Sequence, residues 1–197
     1  MGEEYQLHSL KIEFDMVMKM SKTLFTSKNI AIMIVFGVLS ALITLTTSFI
    51  PVPIPGLYGL IAVPVGTIFI LTARELIGKI GAATFTQLVS GVLSTFLPGG
   101  PPIPFIIIPT WVLGGIVIDL YFYFIHNIKS RKIYGIAGLI YNIPGDFLLF
   151  YAFMIFLGWS WSFYFFLYSF VAIHAILGCI AGLFVPDIIH RIKPSTK

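Results

Sequence analysis

Four polar residues stand inside stretches otherwise built from Leu, Ile, Val, Phe and Ala: Gln87, Asn142, Asp146 and His174. An amide pair, a carboxylate and an imidazole offer donors and acceptors without a nucleophile, a set suited to holding a small solute rather than cleaving one. Asn142 and Asp146 are four apart and share a helix face. Pro144 and Gly145 between them loosen the backbone and free carbonyls to line a cavity. Counted from Leu157, Asp146 lies about 16 Å deep, near the bilayer midplane where transporter sites sit. His174, counted from Trp161, and Gln87 fall at similar depth. Four groups from three helices in one layer point to a shared pocket. The same groups also serve as inter-helix hydrogen bonds worth about 1 kcal/mol each, and both readings stand.

Asp119, the other intramembrane carboxylate, lies near the far end of its span, where pairing with His126, a tyrosine or a basic loop residue makes it a structural tie. Tyr164 and Tyr168 share a face, and Trp111 sits about 12 Å below the end of its span. These three aromatics are candidates for stacking on a flat ligand, although such stripes also form ordinary helix packing. Gly37 with Ala41, Gly114 with Gly115, and Gly178 with Gly182 fit small-residue helix contacts. Of these, Gly37 and Ala41 are the candidate face for a partner helix outside the bundle. HExxH, GxSxG and P-loop patterns do not occur, and His126, His174 and His190 fall at three depths. The expectation is therefore no enzyme, no metal and no cofactor.

The elements that position these residues are apolar spans at roughly 29–50, 57–72, 79–97, 103–126, 132–157 and 161–186. Of the 197 residues, 58% are hydrophobic and 10% charged, and mean hydropathy is +0.99, against about 25% charged residues in soluble domains. The reading is an all-α integral membrane protein with six transmembrane helices over 29–190, a cytoplasmic amphipathic segment over 1–28 and a cytoplasmic tail over 191–197. Spans three and four form a hairpin around Pro98-Gly99-Gly100-Pro101-Pro102, which breaks the helix. All twelve Lys and Arg fall before span one, between spans two and three, between four and five, or after six. The alternate loops, Pro51–Pro55, the Pro/Gly turn and Gly158-Trp159-Ser160, carry none. The positive-inside rule then puts both termini in the cytoplasm and explains the net charge of +4 without nucleic acid. Trp159 and Trp161 suit the outer rim, and the lone Cys179 excludes an internal disulfide.

Six spans in fewer than 200 residues, with Lys79-Ile80-Gly81-Ala82-Ala83 opening the third after a basic loop and a Gly/Pro turn closing it, resemble the substrate-binding S-components of energy-coupling factor (ECF) vitamin transporters. Leu57-Tyr58-Gly59, Gly81-Ala82-Ala83 and the Pro/Gly turn look most like the YkoE group, associated with thiamine and its hydroxymethylpyrimidine precursor. Span one departs from the family's Ala-xxx-Ala docking pattern with Gly37-xxx-Ala41, and Gln87 stands where that group carries an acid. The resemblance implies a multi-pass plasma-membrane protein without an ATPase of its own. It would bind a vitamin or precursor from outside through Gln87, Asn142, Asp146 and His174, with Trp111, Tyr164 and Tyr168 stacking. Its partners would be a membrane coupling subunit and two cytoplasmic ABC-type ATPases. The alternative is a membrane scaffold or assembly subunit without a solute site.

Overall fold

The structure, a computed structural model, describes residues 25–46, 59–98, 103–125, 130–160 and 162–192. Their elements are helices α1 (Ser27–Thr46), α2 (Gly59–Ile77), α3 (Ala82–Phe96), α4 (Pro104–Phe124), α5 (Arg131–Tyr141), α6 (Ile143–Leu157), α7 (Phe163–Phe166) and α8 (Ala172–Ile192). A π-helical turn, Leu167–Val171, joins α7 to α8, and no strand occurs among the described residues. Five segments are long and apolar enough to cross a membrane: α1, α2, α4, the α5–α6 run and the run from α7 through α8. The chain is thus an all-helical, multi-pass membrane protein. Residues 1–24 of the expected 1–28 segment, Leu57-Tyr58, the 51–55 loop, residues 99–102, His126, Lys129, Trp161 and residues 193–197 of the expected 191–197 tail lie outside the described residues.

The chain divides into two compact units, 1–31 and 32–197. In the first, the Asn29 amide donates to Thr26 Oγ1 at 3.3 Å, a cap at the start of α1. The features below belong to the second.

Two expected spans differ from the helices found. Span three shortens to the 15 residues of α3, about 22 Å of helix against a bilayer core of about 30 Å. The cause is the turn before it, where Gly78 and Gly81 adopt φ of 68° and 88°, left-handed angles that a helix excludes. Span five is two helices meeting at Asn142, because Pro144 cannot donate to the helical ladder.

One carboxylate organises the end of the bundle that carries Arg74, Lys79 and Arg131. Asp119 of α4 accepts from the Ala83 amide at 3.3 Å and the Thr84 amide at 2.8 Å, and from the Thr84 hydroxyl at 2.7 Å. It therefore caps the orphan amides of α3 from a neighbouring helix. Arg74 Nε of α2 lies 3.0 Å from the same carboxylate, with both side chains buried, and the guanidinium carbon sits 5.8 Å from the Phe122 ring centroid. The expected tie of Asp119 to a basic residue is present, but Arg74 lies within α2 rather than in a loop. Nearby, the Tyr121 hydroxyl donates to the Ile133 carbonyl at 3.1 Å. Arg131 pairs with Asp187 at 2.7 Å on the exposed surface, where such pairs contribute about 1 kcal/mol at most.

Close helix contacts depend on small residues. A β-carbon on Gly138 or Gly178 would run into the other's carbonyl, and one on Gly182 into the Tyr134 carbonyl, so α5 and α8 approach backbone to backbone. Ile70, Leu71, Ala83, Ile118, Tyr134, Ala137, Tyr141 and Val185 form the core beside this seam. Gly37 and Ala41, expected to dock a partner, are buried. A β-carbon on Gly37 would lie 2.8 Å from the Thr86 carbonyl oxygen and from Val89 Cβ, so the bundle itself occupies that face.

Replacing Asp119 by Ala strands the buried Arg74 cation and uncaps α3, and should cost about 3–5 kcal/mol. Asp119→Leu combined with Arg74→Met should recover only the part due to the stranded cation, because the α3 amides stay uncapped. Denaturant unfolding in detergent measures both, and a loss below about 1 kcal/mol for Asp119→Ala would remove the clamp from the account.

Candidate functional site

The second polar centre lies where two helices depart from regular geometry. At the α5–α6 junction the Asp146 amide donates to the Asn142 carbonyl at 2.9 Å, so the two residues stay one turn apart across the break. This turn keeps Asp146, at the start of α6, directed inward. On the other side, the π turn Leu167–Val171 ends three residues before His174. The extra residue rotates the helix, and such turns occur frequently at functional sites.

Asp146 and His174 meet between α6 and α8. His174 Nδ1 lies 3.0 Å from Asp146 Oδ1 and 3.2 Å from Oδ2, and the residues are only 6% and 5% exposed. An ionised carboxylate accepts only, so a nitrogen placed between both its oxygens is assigned the proton. With Asp146 ionised and His174 neutral, Nδ1–H donates to Asp146 and Nε2 carries the lone pair. Nε2 has no hydrogen-bond partner among the described residues and faces Gly59, where a β-carbon would collide with it. Only glycine lets the first turn of α2 lie against the imidazole. The dyad thus presents a single oriented acceptor inside the membrane.

Its surroundings are aromatic. The Phe170 ring centroid is 4.3 Å from that of His174, Phe166 stacks on Phe170 at 5.1 Å, and Phe150 stacks on Phe166 at 4.5 Å. This wall excludes water from one side of the dyad and raises the strength of its hydrogen bonds. Asn142 is half-buried, and its Nδ2, unpartnered among the described residues, occupies the space opened by Gly178.

No protein-family profile, curated protein or solved structure matches this chain. Function therefore has to be argued from the dyad and its neighbours.

The sequence-predicted residues distribute as follows. Asp146 and His174 are brought into contact, and Asn142 sits one turn away. Gln87 is buried on α3 with neither amide atom partnered among the described residues. Contacts with α4 set the levels: Gly91 packs on Ile108 and Gly145 on Thr110. Ile108 and Thr110 are two residues apart, so Asp146 is level with Ser90 and Gly91 to within about 3 Å, and Gln87 lies about one turn nearer the Arg74 end. Trp111 is half-buried on α4 beside Thr110. Tyr164 and Tyr168, expected to stack on a ligand, are 69% and 70% exposed on the outside of the bundle. The aromatic ring packed against the dyad is Phe170 instead.

Sequence reasoning missed the π turn, Phe170 and the place of Gly59 against the imidazole. Gly59 stood out only as part of the Leu57-Tyr58-Gly59 motif of span two. The Leu-Tyr-Ser-Phe-Val of the π turn contains no helix breaker and offered no signal.

A double-mutant cycle isolates the dyad. Asp146→Leu alone leaves the His174 donor unpaired and should cost about 1–3 kcal/mol; adding His174→Phe should return most of it. A coupling near zero in denaturant unfolding would mean that the two side chains do not interact.

Proposed function

We propose that this chain is the solute-binding membrane subunit of an ECF-type importer, taking a small nutrient of the thiamine and hydroxymethylpyrimidine class. The observation that carries the reading is the buried Asp146–His174 dyad, with the unpaired Nε2 acceptor turned toward the first residue of α2. A polar pair in hydrocarbon is expensive to keep, and its default role is functional. The oriented acceptor takes an N–H or O–H from the solute, Asn142 supplies a donor one turn away, and Phe170 offers an apolar face.

In this reading both termini and the basic loops face the cytoplasm of a plasma-membrane protein. The solute then enters from the opposite side, through the charge-free loops around 51–55 and 98–102. The coupling subunit and the two ABC-type ATPases follow from the resemblance of the six-span pattern and the 79–83 segment to S-components. They are partners this bundle needs if import is to be driven, because no P-loop occurs in the sequence.

Native mass spectrometry of the detergent-purified protein, followed by thermal shift with thiamine and hydroxymethylpyrimidine, tests the reading. A bound mass or a ligand-dependent rise in melting temperature is expected. Asn142→Ala with Asp146→Asn should then weaken binding at least about tenfold, equivalent to about 1.4 kcal/mol. Unchanged binding in the folded double variant overturns the assignment. A ligand-free spectrum across a vitamin panel, with Asp146 variants that lose the fold, favours the scaffold instead.

A further inference from the structure

One face of α3 is left over by both the clamp and the dyad. Gln87, Ser90 and Ser94 recur at i, i+3 and i+7, which places them on one strip of the helix. They are 1%, 0% and 1% exposed. The flanking strips are already taken: Thr86 and Val89 meet Gly37 of α1, while Thr84 and Gly91 meet Gly115 and Ile108 of α4. The Gln87–Ser94 strip therefore faces the interior between those contacts.

Beyond Thr84, which donates to Asp119, the hydroxyls of this helix behave in two ways. Thr86 and Thr95 donate back to the Ala82 and Gly91 carbonyls at 2.8 and 2.9 Å, the usual way for an intramembrane hydroxyl to be satisfied. Ser90 Oγ, Ser94 Oγ and both amide atoms of Gln87 have no partner among the described residues. Inter-helix glue would be paired, and mere space-filling would be served by alanine. By the α4 levels, Ser90 lies at the height of Asp146, with Ser94 and Gln87 about one turn to either side.

We propose that this strip is the second, uncharged wall of the solute site, and that it reads a neutral group carrying a donor and an acceptor side by side, such as a carboxamide or an aminopyrimidine edge. The inference rests on the solute-binding reading and specifies its ligand. The Gln87 amide holds Nε2 and Oε1 in a fixed pair that matches such an edge, and each serine adds one group able to donate or accept. The strip carries no formal charge, so a charged arm placed against it would be buried uncompensated. Because the strip is closed in this conformation, an element packed over it must move to admit the solute.

Single cysteines at Ser90, Ser94 and Val89, each in a Cys179→Ala background, test this in proteoliposomes with a membrane-impermeant methanethiosulfonate reagent. The cysteines at 90 and 94 should react at least tenfold faster than the one at 89, which is packed against α1, and hydroxymethylpyrimidine should slow them at least fivefold. Silence at 90 and 94 overturns the proposal even if the dyad binds a solute, and so does equal labelling at 89. Labelling that hydroxymethylpyrimidine leaves unslowed, in protein that binds it, overturns the assignment of the strip to that ligand. If the protein binds no vitamin at all, the solute reading fails first, and the ligand class fails with it. Ser90→Ala with Ser94→Ala should leave the ligand-free melting temperature unchanged or raised; a drop of several degrees would make the serines structural and overturn the proposal.

Discussion

A carboxylate and a bare helix start are each untenable in hydrocarbon, and Asp119 resolves both at once. The first amides of α3 have no carbonyl partners in their own helix, and lipid offers none. Asp119 accepts from two of them and from the Thr84 hydroxyl, while Arg74 balances its charge. Three helices are thereby joined at one atom group. The rotation of α3 follows from this contact: with Thr84 turned to Asp119 and Gly91 to Ile108, the Gln87–Ser94 strip has no direction left but inward.

The opposite side of the bundle is built on absence of bulk. Gly138, Gly178 and Gly182 let α5 and α8 touch through their backbones, and this close seam holds steady the two helices that deliver Asn142 and His174. Asp146 and the imidazole then meet because each helix is locally irregular, one at Asn142 and the other at the π turn. Regular helices of the same sequence would present these side chains at other angles. The dyad and the Asp119 clamp differ in kind as well. Asp119 spends its oxygens on four contacts to the fold, whereas Nε2 of the dyad has no partner among the described residues.

Much of this was legible in the residues. Apolar runs marked the spans, the depth of Asp146 and His174 matched their meeting, and Asp119 was separable as a structural tie from its distance to the midplane. Arg74 was misplaced because a charge at the end of an apolar run reads as a loop, and only the partner on α4 explains its burial. Tyr164 and Tyr168 misled for a reason specific to membranes: lipid is as apolar as the protein interior, so helical periodicity of aromatics does not tell inside from outside. The shortness of α3 was hidden for a related reason. Hydropathy measures composition, and Gly78 to Gly81 remain apolar enough to extend a span that their dihedral angles end.

That shortness reaches beyond the protein. The lipid-facing side of α3, with Leu88, Val92 and Phe96 exposed, is about 8 Å shorter than the hydrocarbon core of an average bilayer. Were α3 to cross the bilayer, acyl chains along this flank would compress to meet it, at fractions of a kcal/mol per Å, while those beside the 30-residue run from Phe163 to Ile192 need not. A spanning α3 would set the bundle in an unevenly thick membrane of its own making. Chain length of the surrounding lipids would then become a mechanical load on a helix whose inner face carries Gln87, Ser90 and Ser94 without partners among the described residues.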